Sequence, residues 1–227
     1  MTYPNFLDHF EYGFERTFMW KEPASPAWER TVRPFRLTFS PLPVGSLHLK
    51  SGRLVASDPF VYFDEAPFVR TLSPGSYDVI LSIADIERGY PRVAFAMLKV
   101  SEKEVMTWEL AKRELSESRR GGGQLTPYSV DSGTGCFMDS TTQLKFNHLY
   151  LEAADRGQDI VGDMDWIGES TVQYLNYQFP NSPTNNLIAF SSGWGDGGYL
   201  TYAGLDEDGD TACFVTDFEV AKDTPEK

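Results

Sequence analysis

Cysteine, histidine and positive charge are all scarce in this chain. Two cysteines in 227 residues, Cys136 and Cys213, are too few for a disulfide framework, and neither stands at a zinc-ligand spacing from a histidine. The three histidines, His9, His48 and His148, are far apart, so none belongs to a local metal motif. Lysine and arginine total 20 against 33 acids, a formal charge of −13. Nucleic acid and anionic membrane surfaces both require a cationic footprint, and both are excluded as expected partners. No apolar run approaches the roughly 20 residues of a membrane-spanning helix. Met1 is followed by Thr2-Tyr3-Pro4-Asn5 rather than by the basic and apolar regions of a secretory signal, so a cytoplasmic location is expected.

What the chain does hold is aromatic and apolar. Hydrophobic residues make up 41%, with 16 Phe and 11 Tyr, a supply suited to sheet packing and cleft walls. Residues 1–43 mix aromatics with Pro23, Pro26, Pro34, Pro41 and Pro43 and read as an extended N-terminal segment, with one strand at Phe35–Phe39. Residues 44–227 read as a single globular domain. Within it, Gly45–Leu49 and Arg53–Ala56 flank Gly52 as a hairpin, and Phe68–Leu72 and Tyr77–Ile83 flank a Pro74-Gly75 turn as a second strand pair. Arg92–Val100 is a nearly continuous apolar run, the pattern of a buried central strand. Ser101 and Glu104 stand at capping-box spacing and predict a helix over Lys103–Arg113. Ser116–Gln124, with Arg119-Arg120-Gly121-Gly122-Gly123, reads as a solvated mobile loop, since nothing completes a phosphate-loop pattern. Leu144–Asp155 predicts a helix, while Asn186–Phe190, Gly198–Gly204 and Ala212–Val220 predict strands. The sum is a β-rich α+β domain on a twisted, mostly antiparallel sheet, with two or three helices.

Two segments share one grammar of acid and glycine: Val130-Asp131-Ser132-Gly133-Thr134-Gly135 and Gly193-Trp194-Gly195-Asp196-Gly197. Glycine is favoured where φ is positive or a side chain would collide, so these runs either form tight turns or bring backbone close to a ligand. Acids in such places ligate a hard cation or orient a substrate group, or they accept N–H bonds from their own turns. The functional reading gathers Asp58, Asp131, Asp139 and Asp196 at one end of a sheet, with Asp58, Asp131 and Asp196 as the set for Mg²⁺ or Ca²⁺. Trp194 and Tyr199 fall beside them as candidate wall residues. Arg92 opens the most apolar strand, and an arginine entering a core calls for a carboxylate partner, here Asp131 or Asp58. Asp206-Glu207-Asp208-Gly209-Asp210 has the alternation of a calcium loop. Its twelfth position is Asp217, inside a strand pattern, so it reads as a hairpin turn. Ser132 lacks the Gly-x-Ser-x-Gly context of a hydrolase nucleophile.

Read in order, Gly52 with Leu54, Asp58-Pro59, Pro74-Gly75 with Tyr77 and Val79, Arg92-Val93-Ala94, Trp108 with Ala111, Val130–Gly133 with Phe137 and Asp139, Ser192–Gly197 with Tyr199, then Gly204, Asp206 and Asp217-Phe218 resemble the bacterial domain of unknown function 4241 (DUF4241) family. The resemblance spans roughly Gly45 to Val220. It implies one domain with the Gly-Asp motifs as signature positions, and it carries no catalytic residue. Two functional expectations follow. The first is a non-catalytic binding or immunity-type module, using its acidic surface on a basic protein or a Gly-Asp lined pocket on a small ligand. The second is a divalent-metal-dependent hydrolase or transferase built on Asp58, Asp131 and Asp196.

Overall fold

The computed structural model describes residues 5–21, 32–86, 90–114, 127–169, 171–179 and 182–221. Two sheets form, and every strand pairing in them is antiparallel. The first sheet contains β1 (Glu15–Lys21), β2 (Val32–Leu49), β4 (Gly75–Ile86), β5 (Arg92–Lys99), β6 (Thr107–Leu110), β7 (Tyr128–Val130), β12 (Gly197–Leu205) and β13 (Thr211–Asp217). Its order is β1-β2-β4-β5-β13-β12-β6, with β7 also on β12. The second contains β3 (Leu54–Ser57), β8 (Thr134–Asp139), β9 (Ile167–Glu169), β10 (Val172–Phe179) and β11 (Ser182–Ser191), in the order β3-β8-β11-β10-β9.

The second sheet is the middle of three layers. Along β3, Leu54 and Ala56 join the core shared with the first sheet while Val55 joins the core on the opposite face. Phe137 is likewise separated from Cys136 and Met138 on β8, as Ile188 and Phe190 are from Leu187 and Ala189 on β11. Successive side chains of a strand point to opposite faces, so a sheet covered on both sides needs consecutive apolar residues. Each fully buried Leu or Phe contributes about 1.5–3 kcal/mol, which sets the middle layer in place. The outer face is covered by α1 (Ser140–Asp155), through Phe146, and by Phe60, Met164 and Trp166. β5 is central, with β4 and β13 on its flanks, and its interior is buried throughout.

Several expectations are corrected. Among the described residues α1 is the one α-helix, beside a short 3-10 helix at Phe6–Phe10; two or three helices were expected. The helix predicted over Lys103–Arg113 is replaced by strand β6. Ser101 does accept from the Lys103 N–H at 3.4 Å, but as a local turn, and Thr107–Leu110 instead completes its backbone bonds against β12. The Gly45–Ala56 hairpin does not form, because its arms enter different sheets: β2 ends at Leu49 and β3 starts at Leu54. Gly52 makes that crossing at φ +70°, where an added Cβ would collide with the Leu72 carbonyl. Phe68–Leu72 is not a strand and holds only an isolated bridge, Phe68 to Arg113. The loop expected over Ser116–Gln124 lies largely within 115–126, outside the described residues.

The N-terminal region joins the first sheet. β2 spans both sides of residue 43, with a shift of register against β4 between Pro43 and Gly45. Its prolines are tolerated because β2 has one strand neighbour at each of them: Pro34 faces Met19 of β1, and Pro41 and Pro43 face Ser82 and Ile80 of β4. A proline nitrogen on the other flank leaves no ladder bond unmade. The 3-10 helix covers this sheet, with Phe6 against Phe95, Trp108 and Tyr202, and His9 among Phe14, Phe39 and Phe95.

Candidate functional site

A cleft of about 710 Å³ opens at the end of the middle sheet. The two Gly-Asp segments supply its floor, as Ser132–Thr134 at the start of β8 and Ser191–Gly195 at the end of β11. They are tied together by the Ser192 N–H donating to the Gly133 carbonyl at 3.1 Å. Phe60, Tyr150, Val161 and Trp166 from the helical layer form one wall, while Arg92 and Trp194 come from the other side and Thr171 and Gln173 from β10 and its approach. The volume lies within the range of small-molecule sites.

The acids hold the floor rather than line the cleft. Asp58 is fully buried. Its Oδ1 accepts from the Phe60 N–H at 2.9 Å and the Ser132 hydroxyl at 2.8 Å, and its Oδ2 accepts from the N–H groups of Asp131 and Ser132 at 2.9 and 2.8 Å. Asp196 accepts from the Gly133 N–H at 3.1 Å. Asp131 is exposed and enters this network through its own backbone. Three of the four predicted acids therefore meet around one loop pair, and the fourth does not. Asp139 lies at the far end of β8, where it caps α1 through the Thr141 N–H and hydroxyl and also accepts from the Ser51 N–H and hydroxyl.

Asp58, Asp131 and Asp196 do not present a shared set of ligand oxygens. Among the described residues, the one such triplet is Asp206, Asp208 and Asp210, whose ligand atoms fall within 4.8 Å of one another. These residues form the β12–β13 turn. Asp206 accepts from the N–H groups of Asp208 and Asp210, both at 2.9 Å, and the Lys103 ammonium bridges Asp206 and Asp208 at 2.8 and 2.7 Å. The Lys103 hydrogen bond holds the Asp206 carboxyl below its ordinary pKa.

Arg92 has no carboxylate partner among the described residues, contrary to the sequence expectation. Its guanidinium lies 5.2 Å from the centroid of the Trp194 ring, and Nη1 donates to the Pro91 carbonyl at 3.3 Å. Partial burial lowers its pKa. Trp194 is 47% exposed at the tip of a loop fixed from below. The buried Tyr199 hydroxyl donates to the carbonyls of Ser192 and Gly195, and the Ser192 hydroxyl also donates to Gly195. Burial, the larger effect, together with Glu219 pushes the Tyr199 pKa up to about 12, so Tyr199 is a neutral donor. Gly193 has φ +56°, and a Cβ there would stand 2.8 Å from Phe218; that glycine is required both by its backbone and by its neighbour.

The aromatic wall was not foreseen from the sequence, because Phe60, Tyr150 and Trp166 come from separate segments and are indistinguishable there from core. Arg113 was also missed. It is buried, pairs with the buried Glu65 at 2.8 Å and lies over the rings of Phe68 and Tyr128, so its role is to join β3, β7 and the 65–68 segment.

No described helix is long and apolar enough to cross a membrane. Comparison with curated proteins and with solved structures returns no match. The family model described as protein of unknown function (DUF4241) matches residues 47–216, a span that contains Asp58, Arg92 and both glycine loops, and by that match the chain belongs to the DUF4241 family.

Proposed function

We propose that this protein is a non-catalytic binding module whose ligand is a small molecule held in the cleft between the two glycine loops. One observation carries the reading: the cleft is walled by aromatics and floored by backbone, while the Asp58 and Asp196 carboxylates are engaged in protein hydrogen bonds. A general base needs a lone pair within reach of substrate. Asp58 has four protein donors on its two oxygens, which leaves it a clamp. The engagement of Asp58 argues against a metal-dependent hydrolase that needs it beside Asp131 and Asp196, since a divalent ion would have to displace its four donors.

The acidic surface, as a docking face for a basic protein, is the other form of a binding module. The cleft is preferred because it is a specific geometry, whereas an excess of acids also serves solubility. Thermal unfolding against a small-molecule library tests the proposal. A ligand of the cleft raises the midpoint by mass action, and Gln173→Trp, which fills the cleft from β10, abolishes the rise. A rise that survives Gln173→Trp overturns the cleft as the site.

A further inference from the structure

We infer that the cleft selects a planar small molecule bearing a single carboxylate-type negative charge, with the anion on Arg92 and the ring between Trp194 and the aromatic wall. This rests on the reading of the cleft as the binding site.

Arg92 is the one formally charged residue among the described residues of the lining, in a chain where acids outnumber bases by 33 to 20. A guanidinium carries five N–H donors in a planar fork, and here one of its nitrogens meets a carbonyl while no carboxylate reaches it among the described residues. Stacking on Trp194 covers a face of the guanidinium and leaves its donor edge available. Unmet donors on a partly desolvated cation favour an incoming anion, and the fork matches a carboxylate.

The glycine loops look at first like a phosphate cradle, which would demand a more highly charged ligand. The donors of the first loop are already taken. The N–H groups of Asp131 and Ser132 serve Asp58, and that of Gly133 serves Asp196, so internal carboxylates occupy the place of the phosphate. With that nest filled and a single cation among the described lining residues, the site matches one negative charge rather than two. The remainder of the lining supplies the ring contacts, with Phe60, Tyr150 and Trp166 on one side and Trp194 on the other.

The test uses three probes that share one ring and differ in charge: indole-3-acetate, indole-3-acetamide and tryptamine, with inorganic phosphate as a fourth. Each is titrated to millimolar concentration into 5-fluorotryptophan-labelled protein, and the ¹⁹F resonances of Trp166 and Trp194 are followed after assignment with Trp166→Phe and Trp194→Phe. Indole-3-acetate is expected to shift both resonances and to bind at least about tenfold tighter than the amide, the preference of a charge-assisted hydrogen bond over a neutral one. The preference falls to about one in Arg92→Met and partly returns in Arg92→Lys. Equal binding of acetate and amide by wild type, tighter binding of tryptamine, or tighter binding of phosphate than of indole-3-acetate overturns the ligand class while leaving the cleft a binding site. Absence of any shift at Trp166 and Trp194 with all four probes overturns both. The wild-type comparison among probes decides the class even where an Arg92 variant does not fold.

Discussion

Two acid-and-glycine turns, written alike in sequence, do different things in the structure. At the cleft, Asp58 and Asp196 turn inward and hold backbone N–H groups of another segment, 73 to 74 residues away for Asp58 and 63 for Asp196. In the β12–β13 turn, Asp206 holds N–H groups of its own turn, two and four residues on, and its other oxygen meets the solvent-facing Lys103. The first arrangement fixes two loops to each other and shapes a cavity; the second closes one hairpin. What separates them is the sequence distance bridged by the carboxylate, which alternation of Asp and Gly does not encode.

The largest break in this comparison is Asp58→Ala. It strands the N–H groups of Phe60, Asp131 and Ser132 and the Ser132 hydroxyl at a buried position, and at roughly 1–3 kcal/mol for each unsatisfied group, relieved where the exposed loop reaches water, a loss of about 4 kcal/mol is expected in urea unfolding. Ligand binding in the cleft is lost with it at temperatures where the variant stays folded.

Acid titration needs a control that comes from outside both turns. Burial, the dominant effect, lowers the His9 pKa from 6.5 to about 4. The unfolded chain therefore binds the proton first, and stability is full above pH 6.5, falls as pH drops towards 4 and loses no more from this group below that. The loss is up to about 3 kcal/mol. In His9→Phe that slope is absent from urea unfolding followed across pH 7 to 4; a slope that persists undiminished would show that His9 is not its source.

Gly193→Ala sharpens the comparison from the loop side. Positive φ and the contact with Phe218 predict a loss of about 2 kcal/mol, together with weaker cleft binding because Trp194 is displaced. The smallest effect belongs to the hairpin. Lys103→Met removes a half-exposed ammonium from the buried Asp206 and the exposed Asp208 and is expected to lower the urea midpoint slightly, by less than Gly193→Ala does, with cleft binding unchanged. A clear loss of stability there would erase the distinction between the two turns.

Legibility in the sequence followed the range of the forces involved. β5 and the middle strand β11 were readable because burial on both faces leaves runs such as Val93–Leu98 and Leu187–Phe190. α1 was readable from its unbroken apolar spacing, although Asp139 was taken for a ligand residue and is the cap. β6 was misread because the Ser101–Glu104 spacing is a local signal, overridden by pairing with β12. β9 and β10 gave no usable pattern: β9 is exposed throughout, and most of β10 is half-buried. At the site, the glycines and Arg92 were legible as backbone approach and as a cation entering apolar surroundings. Its aromatic half was not, because nothing local marks Phe60, Tyr150 and Trp166 as neighbours.

The prolines of β2 bear on how copies of this protein meet one another. Over Pro41 and Pro43 the strand has β4 on one flank and no described strand on the other, an open edge of the kind that recruits a second chain into an intermolecular sheet. Two residues there have no N–H to offer. A little further on, the buried Asn186 side chain donates to the Ser46 carbonyl and accepts from the His48 N–H, both at 2.9 Å. An approaching strand thus meets missing donors followed by groups already satisfied, and the long edge of the first sheet is guarded against aggregation by the same residues that hide the strand from a reader of the sequence.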